Sequence, residues 1–254
     1  MSAQRQLVTA VVTTLDNAAT LPRCLASVEW ADELLVLDSG STDTSCEIAL
    51  AHGARIETQA FLGYARQKQH AIDLARHDWI LLLDADECLV AGAREAIEQA
   101  LRTPRVGGFR LPRREQMFWR FPAPGSQVNT HLRLFDRRRA GMNQVPIHAA
   151  VELHQGHAPV LRRAVLDHYG EPDIHTKVEK INRYSSGLVE HKLKKRSRFV
   201  GLRMVLYPPL FFLRQYLFKR YFLNGWAGFI ASAIGAQYVF LKYAKLHEAR
   251  RQRR

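Results

Sequence analysis

Three carboxylates crowd the segment LLLDADE, residues 81–87: Asp84, Asp86 and Glu87 end an apolar run that starts at Trp79, with only Ala85 among them. Like charges this close are costly unless a cation neutralises them. A hard divalent ion such as Mg2+ or Mn2+ takes oxygen ligands and commonly joins one or two carboxylates to a diphosphate. The Asp-Ala-Asp spacing suits that use, although a solvated acidic turn has the same spelling. A further acid, Asp38, closes a second apolar run, Leu34–Leu37, and opens the turn Ser39-Gly40-Ser41-Thr42. Downstream, IHAAVEL carries His148 and Glu152, and LRLFDRRR carries Asp136. Arg133, Arg137, Arg138 and Arg139 in the same stretch suit a diphosphate or an anionic acceptor, because guanidinium pairs well with phosphate oxygens. A solvated basic face is the other reading of the last three. His154 and His157, with His148 and His168 near, raise a transition-metal site, but no cysteine ligand or helical HExxH accompanies them.

The elements that must position these groups alternate. Leu7–Thr13 reads as a strand, Leu21–Val28 as a helix, Leu34–Leu37 as a strand, and Thr44-Ser45-Cys46-Glu47 as a capping box opening a helix to about His52. Arg55–Thr58, Tyr64–Arg76 and Trp79–Leu83 continue as strand, helix and strand. This predicts an α/β fold, a Rossmann-like, mostly parallel sheet with flanking helices. Ligands in such sheets bind beyond the carboxyl ends of the strands, so Asp38 and the Asp84–Glu87 cluster are expected to share one rim. From about Gly107, alternation at Phe109, Leu111, Leu132 and Leu134 predicts a small mixed or antiparallel addition closing over the site. Helical spacing returns from about Lys177, with Pro208-Pro209 as a break. A boundary near residue 175 therefore separates a sheet domain, 1–175, from a helical basic extension, 176–254.

Charge follows the same division. Residues 192–254 hold 15 Lys or Arg against a single acid, Glu248, whereas residues 1–191 hold 22 basic and 23 acidic side chains. The tail calls for an anionic partner, nucleic acid or anionic lipid. Its aromatics fall in apolar runs such as YPPLFFLRQYLF, which suits an anionic membrane surface and argues against nucleic acid. Tyr221–Leu241 carries no charge and is long enough to cross a bilayer, yet Asn224, Gln237 and several glycines and alanines make it only moderately apolar. It is read as lying at the membrane interface, with a buried helix and a true span as alternatives. The three cysteines, in no CxxC pair, suggest neither disulfides nor structural zinc. The N-terminus reads as a first strand and not as a signal peptide, which places the catalytic part in the cytoplasm.

Taken together, LLVLDSGSTDTS followed about forty residues later by DWILLLDADE resembles the paired signature of inverting GT-A glycosyltransferases of family 2. Several further segments, FLGYARQKQHAI, LRLFDRR, KINRYS and FLNGWAGFIASAIGAQYVFLKYAKL, resemble the bacterial lipopolysaccharide-core glucosyltransferases of that family, so the likeness runs through nearly the whole chain. It implies a metal-dependent hexosyltransferase at the inner face of the cytoplasmic membrane, with Mg2+ or Mn2+ as cofactor. The donor would be a nucleotide sugar such as UDP-glucose and the acceptor a lipopolysaccharide core or other glycolipid. By the same resemblance Asp38 would contact the base, Thr13 and Asp16 would line its pocket, Asp84 would face the ribose, Asp86 would bind the metal, and Lys68 would lie near the diphosphate. Two departures stand out. Relatives carry Asn-Glu after the first strand where this chain has Asp16-Asn17-Ala18, and a Val-His-Glu segment where Ala149 replaces the Glu. The base role then falls to Glu152 first and His148 second, with Asp136 as a third candidate. Alternatives are transfer to a polyprenyl phosphate or exopolysaccharide, an inactive scaffold, and a nucleic-acid-binding protein.

Overall fold

The computed structural model describes residues 5–143, 149–170, 172–194 and 199–252. The chain divides into two compact units, Met1–Arg114 with Asn129–Tyr169 and Glu115–Val128 with Gly170–Arg254.

In the first unit β1 (Val8–Thr14), β2 (Glu33–Asp38), β3 (Arg55–Thr58) and β4 (Trp79–Asp84) pair in parallel in the order β3-β2-β1-β4. Between them run α1 (Leu21–Ala26), α2 (Ser45–Ala51) and α3 (Tyr64–Leu74). Strand alternation sorts the side chains into two cores. Val8, Ala10, Val12, Leu81 and Leu83 pack with Leu21 and Leu25 of α1 and with Ile97 of α4 (Ala93–Ala100). Val11, Leu35, Leu37, Ile80 and Leu82 pack instead with Ala71 and Ile72 of α3. Both faces are covered, so the strands read as continuous apolar runs.

Beyond β4 the same sheet continues antiparallel through β7 (Asn129–Asp136), β6 (Gly108–Glu115), β10 (Leu166–His168) and β5 (Glu87–Leu89). The predicted addition is thus an extension of the main sheet, together with a separate ribbon of β8 (Ala140–Met142) and β9 (Val151–Leu153). Phe109 pairs with Leu134 but Arg110 with Leu132, which leaves Arg133 as an extra residue, a β-bulge. The bulge explains why Leu134 joins one core while Leu132 and Phe135 join the other. Gly108 permits the close approach here, since a Cβ on it would lie 2.8 Å from the Leu134 carbonyl oxygen.

The capping-box expectation fails at α2. Thr44 sits at φ −75°, ψ 13°, not in the extended conformation from which a cap residue reaches back, and its side chain makes no capping bond. Asp43 substitutes, its Oδ1 accepting the Ser45 N–H at 2.9 Å.

The second unit is helical: α5 (Ile174–Gly187), α6 (Val189–Lys194), α7 (Val200–Leu213), a π-helical turn Arg214–Phe218, a 3-10 turn Tyr221–Asn224, and α8 (Gly225–Gln252). Asp173 caps α5, accepting the Thr176 N–H at 2.7 Å. The expected break at Pro208-Pro209 is absent, for both prolines lie inside α7. Packing against α8 overrides them: Phe211 lies so close to Gly235 that a Cβ there would come within 2.7 Å of its ring. The chain turns only at Arg220, in the left-handed region at φ 58°. Residues 221–241 form no single span; the 3-10 turn interrupts them. Among the described residues no helix is long and apolar enough to cross a membrane.

Candidate active site

Asp84 ends β4, Asp86 lies in the two-residue turn that follows, and Glu87 opens β5. In register, Thr13 lies beside Asp84 and Thr14 beside Asp38, so the predicted rim exists at the carboxyl ends of β1, β2 and β4. What balances the charge there differs from the expectation of a metal alone. Lys68 of α3 pairs with Asp84 Oδ1. Arg133 Nη2 donates to Asp84 Oδ2 at 2.9 Å and to Glu87 Oε1 at 2.5 Å. Arg113 Nη1 adds a second bond to Glu87 Oε1 at 2.8 Å, and Glu87 Oε2 accepts the Asp84 N–H at 3.0 Å. Two of the three acids are therefore neutralised by side-chain cations.

Burial pushes the Asp84 carboxyl up, but Lys68 and Arg133 together outweigh it and hold it well below the usual carboxylate range. Burial works likewise against the charge on Arg133, and Glu87 and Asp84 overcome it, so the guanidinium stays protonated. Arg133 is accordingly committed to the carboxylates and is not exposed for a diphosphate or an anionic acceptor. Its neighbours are engaged within the chain as well. Arg137 donates to the carbonyls of Ile72 and Ala75 at the end of α3, and Arg138 pairs with Asp136 and Asp78.

The third acid, Asp86, keeps about a third of its side chain exposed and meets His168, whose Nε2 lies 3.1 Å from Oδ2. The pairing of β10 with β5, His168 opposite Glu87, brings the two together. One carboxylate oxygen beside one imidazole nitrogen fits a divalent ion that accepts both donors; Mn2+ accepts imidazole more readily than Mg2+. Among the described residues no group of three or more His, Cys, Asp and Glu side chains forms a closed metal cage.

Asp38 is buried and accepts the N–H groups of Gly40 and Ser41, each at 2.9 Å, and the Ser41 hydroxyl at 2.5 Å. Asp16, at φ 51°, stitches the loop after β1 to the same turn: its Oδ1 accepts the Thr42 N–H at 2.7 Å, and its own N–H donates to Ser41 Oγ at 2.9 Å. All three cysteines are free. Burial pushes the Cys24 thiol well up and keeps it neutral.

The base candidates separate. Asp136 is buried, bound to Arg138, and paired with Trp79 at the start of β4, the end of the strand remote from Asp84. His148 lies outside the described residues. Glu152 lies on β9 opposite Gly141 and accepts a bond from Asn143 Nδ2 at 3.0 Å. It lines an open cavity of about 640 Å3 with Gln69, Arg137, Asn143 and His154. Gln69 follows Lys68 on α3, and its Oε1 accepts the Met142 N–H at 2.8 Å.

A mostly parallel sheet with an acidic rim at the carboxyl ends of its strands, where such folds bind ligands, defines an α/β protein with a candidate site at that rim. The glycosyl transferase family 2 model matches residues 9–170, and the chain belongs to that family. It is 28% identical over 249 residues to the lipopolysaccharide core biosynthesis glycosyltransferase LpsC of Rhizobium meliloti, covering 94% of this chain and 91% of the relative. It is 30% identical over 259 residues to an uncharacterized glycosyltransferase of Rickettsia felis, covering 95% and 90%. Among solved structures, glucosyl-3-phosphoglycerate synthase from Mycobacterium tuberculosis, crystallised with Mn2+ and uridine diphosphate, is 23% identical with a TM-score of 0.36 over 44% of each chain.

Proposed function

We propose that the protein is an inverting, metal-dependent glucosyltransferase that takes UDP-glucose as donor and a lipopolysaccharide-core glycolipid as acceptor at a membrane face. The pairing of Asp86 with His168 beside an already neutralised Asp84 and Glu87 is the observation that carries this reading. A cluster whose other acids are satisfied leaves Asp86 as the carboxylate with capacity for an incoming ion, with the His168 imidazole beside it.

Asp86 and His168 would hold Mn2+ or Mg2+. When bound, that ion neutralises charge developing on the departing nucleotide diphosphate. Asp84, kept ionised by Lys68 and Arg133, accepts from the ribose hydroxyls. Asp38 accepts from the base, with Thr13 and Asp16 shaping the pocket beside it. Glu152 takes the proton of the attacking acceptor hydroxyl as the new bond forms, with inversion at the anomeric carbon. The likeness to LpsC along nearly the whole of both chains supports a lipopolysaccharide-core acceptor over a polyprenyl phosphate.

Calorimetric titration with UDP and UDP-glucose, with and without Mn2+, tests this. Metal-dependent binding that disappears in Asp86→Ala is the expected result. Folded protein that binds neither ligand, or binds equally without metal, would overturn it.

A further inference from the structure

Helix α7 inverts the usual arrangement of a surface helix. Leu202, Leu206, Leu210 and Leu213 recur at steps of three or four residues, which places them on one stripe, and they are 45–59% exposed; Leu217, in the π-helical turn that follows, is 50% exposed. The other side of the helix is already occupied, because Val200, Met204 and Phe211 pack with Val239 and Tyr243 of α8. Where the chain leaves the stripe, Phe218 and Trp226 are 78% and 75% exposed. Arg203, Arg214, Lys219 and Arg220 lie along the same segment, within a stretch of 15 basic residues and one acid.

We propose that this stripe is a lipid-facing surface that seats the second unit on an anionic bilayer. The leucines enter the boundary between headgroups and acyl chains, and Phe218 and Trp226 sit at headgroup level, where amphipathic rings are favoured. The basic residues meet the anionic headgroups. The surface lies on the bilayer and does not cross it. With the π-helical turn the rod runs over residues 200–218, but Arg203 and Arg214 lie within it, and among the described residues no helix is long and apolar enough to cross a membrane. Pro208 and Pro209 also lack the N–H groups that the carbonyls of Met204 and Val205 would accept; interfacial water can satisfy those carbonyls and hydrocarbon cannot.

The location differs from the one the uncharged segment 221–241 suggests. Ala227, Gly228, Ala231, Ser232 and Ile234 of α8 are buried within the unit, so α7 and the turns after it carry the apolar surface. A second copy of the chain is a poorer occupant, because two such basic stretches would face each other across the contact. The proposal invokes no catalytic residue and goes beyond the sugar-transfer reading.

The test is co-sedimentation of the full chain with phosphatidylcholine vesicles, with and without phosphatidylglycerol, at low and high salt. The parent should be retained on the anionic vesicles, less so at high salt, and L206E/L210E should lose more than about tenfold in retention. L50E, altered at a 65% exposed leucine of α2, should behave as the parent. F218S repeats the test at a residue 78% exposed, should the double variant fail to fold. Parent protein left in the supernatant, or folded variants retained as well as the parent, would overturn the proposal. So would a dimer by light scattering that L206E/L210E dissociates while vesicles capture neither. UDP binding by the same preparations separates these outcomes from failure of the sugar-transfer reading.

Discussion

Arg133 and Glu87 form a buried ion pair, Nη2 to Oε1 at 2.5 Å, in which the arginine sits on a β-bulge of β7 and the glutamate opens β5. Breaking one side of such a pair strands the other charge out of water, so Arg133→Met should destabilise by about 3–5 kcal/mol. Arg113 retains one bond to Glu87, which puts the loss toward the lower end of that range. Exchanging both partners, Arg133→Met with Glu87→Leu, should recover much of it. Urea unfolding of the parent and of the single and double variants measures the cycle. A single variant as stable as the parent would remove the bulge from its organising role.

Asp84 gives the acid limb of the stability profile a definite sign. Its carboxyl titrates well below the ordinary value in the folded chain, so the stabilisation it supplies is complete above the unfolded value of about 3.9 and is lost as pH falls through the folded value. Thermal melts of the parent and of Asp84→Asn should differ by a constant amount from neutral pH down to about 4, and converge only below that. A gap that closes near neutrality would point to a different titrating group.

His168 should matter for the metal more than for the fold. It meets Asp86, the most exposed of the three acids, and not the buried Arg133–Glu87 pair. His168→Ala should weaken Mn2+-dependent UDP binding by about 10–100-fold and narrow any preference for Mn2+ over Mg2+. Its unfolding midpoint should stay near that of the parent. Loss of stability without loss of metal dependence would make the histidine a packing residue.

What the sequence carries, and what it hides, divides at β4. The parallel half is legible because each strand and helix announces itself locally, and the placing of Asp38, Asp84 and Asp86 at one rim is legible because each closes or follows an apolar run. The partners of those acids are not. Lys68 lies 16 residues from Asp84, Arg133 lies 49 residues away, and His168 meets Asp86 only because β10 pairs with β5. Nothing in LRLFDRRR distinguishes the buried Arg133 from Arg137 and Arg138, since a one-residue bulge makes that difference. Pro208-Pro209 misleads for a related reason: a local breaker is outweighed by packing against α8.

Asn224 ties down the loop that belongs to the helical unit. Its Oδ1 accepts the Ala123 N–H at 2.6 Å, and its Nδ2 donates to Ser126 Oγ at 2.9 Å and to the Tyr221 carbonyl at 3.2 Å. The residue is buried, so Asn224→Ala should cost about 1–3 kcal/mol by leaving those groups unpaired. Gly228→Ala should be worse, for its Cβ would lie 1.9 Å from the Tyr221 oxygen. Both are checked by thermal melts, and a Gly228→Ala protein as stable as the parent would mean that the 3-10 turn shifts freely.

The proton acceptor is the role least assigned by the family resemblance, which implies a glutamate where this chain has Ala149. A carboxylate must then come from elsewhere, and Glu152 is the described acid nearest in sequence, held by Asn143 on the strand that follows. Glu152→Gln preserves the shape and removes the base. It should lower kcat by about 100-fold or more while leaving UDP binding unchanged. If Glu152 serves in place of the missing residue, then Ala149→Glu introduced into the Glu152→Gln background should restore part of the rate, because it returns a carboxylate to the relatives' position. Full activity in Glu152→Gln, together with a rate collapse and unchanged UDP binding in His148→Ala, would move the base to the histidine.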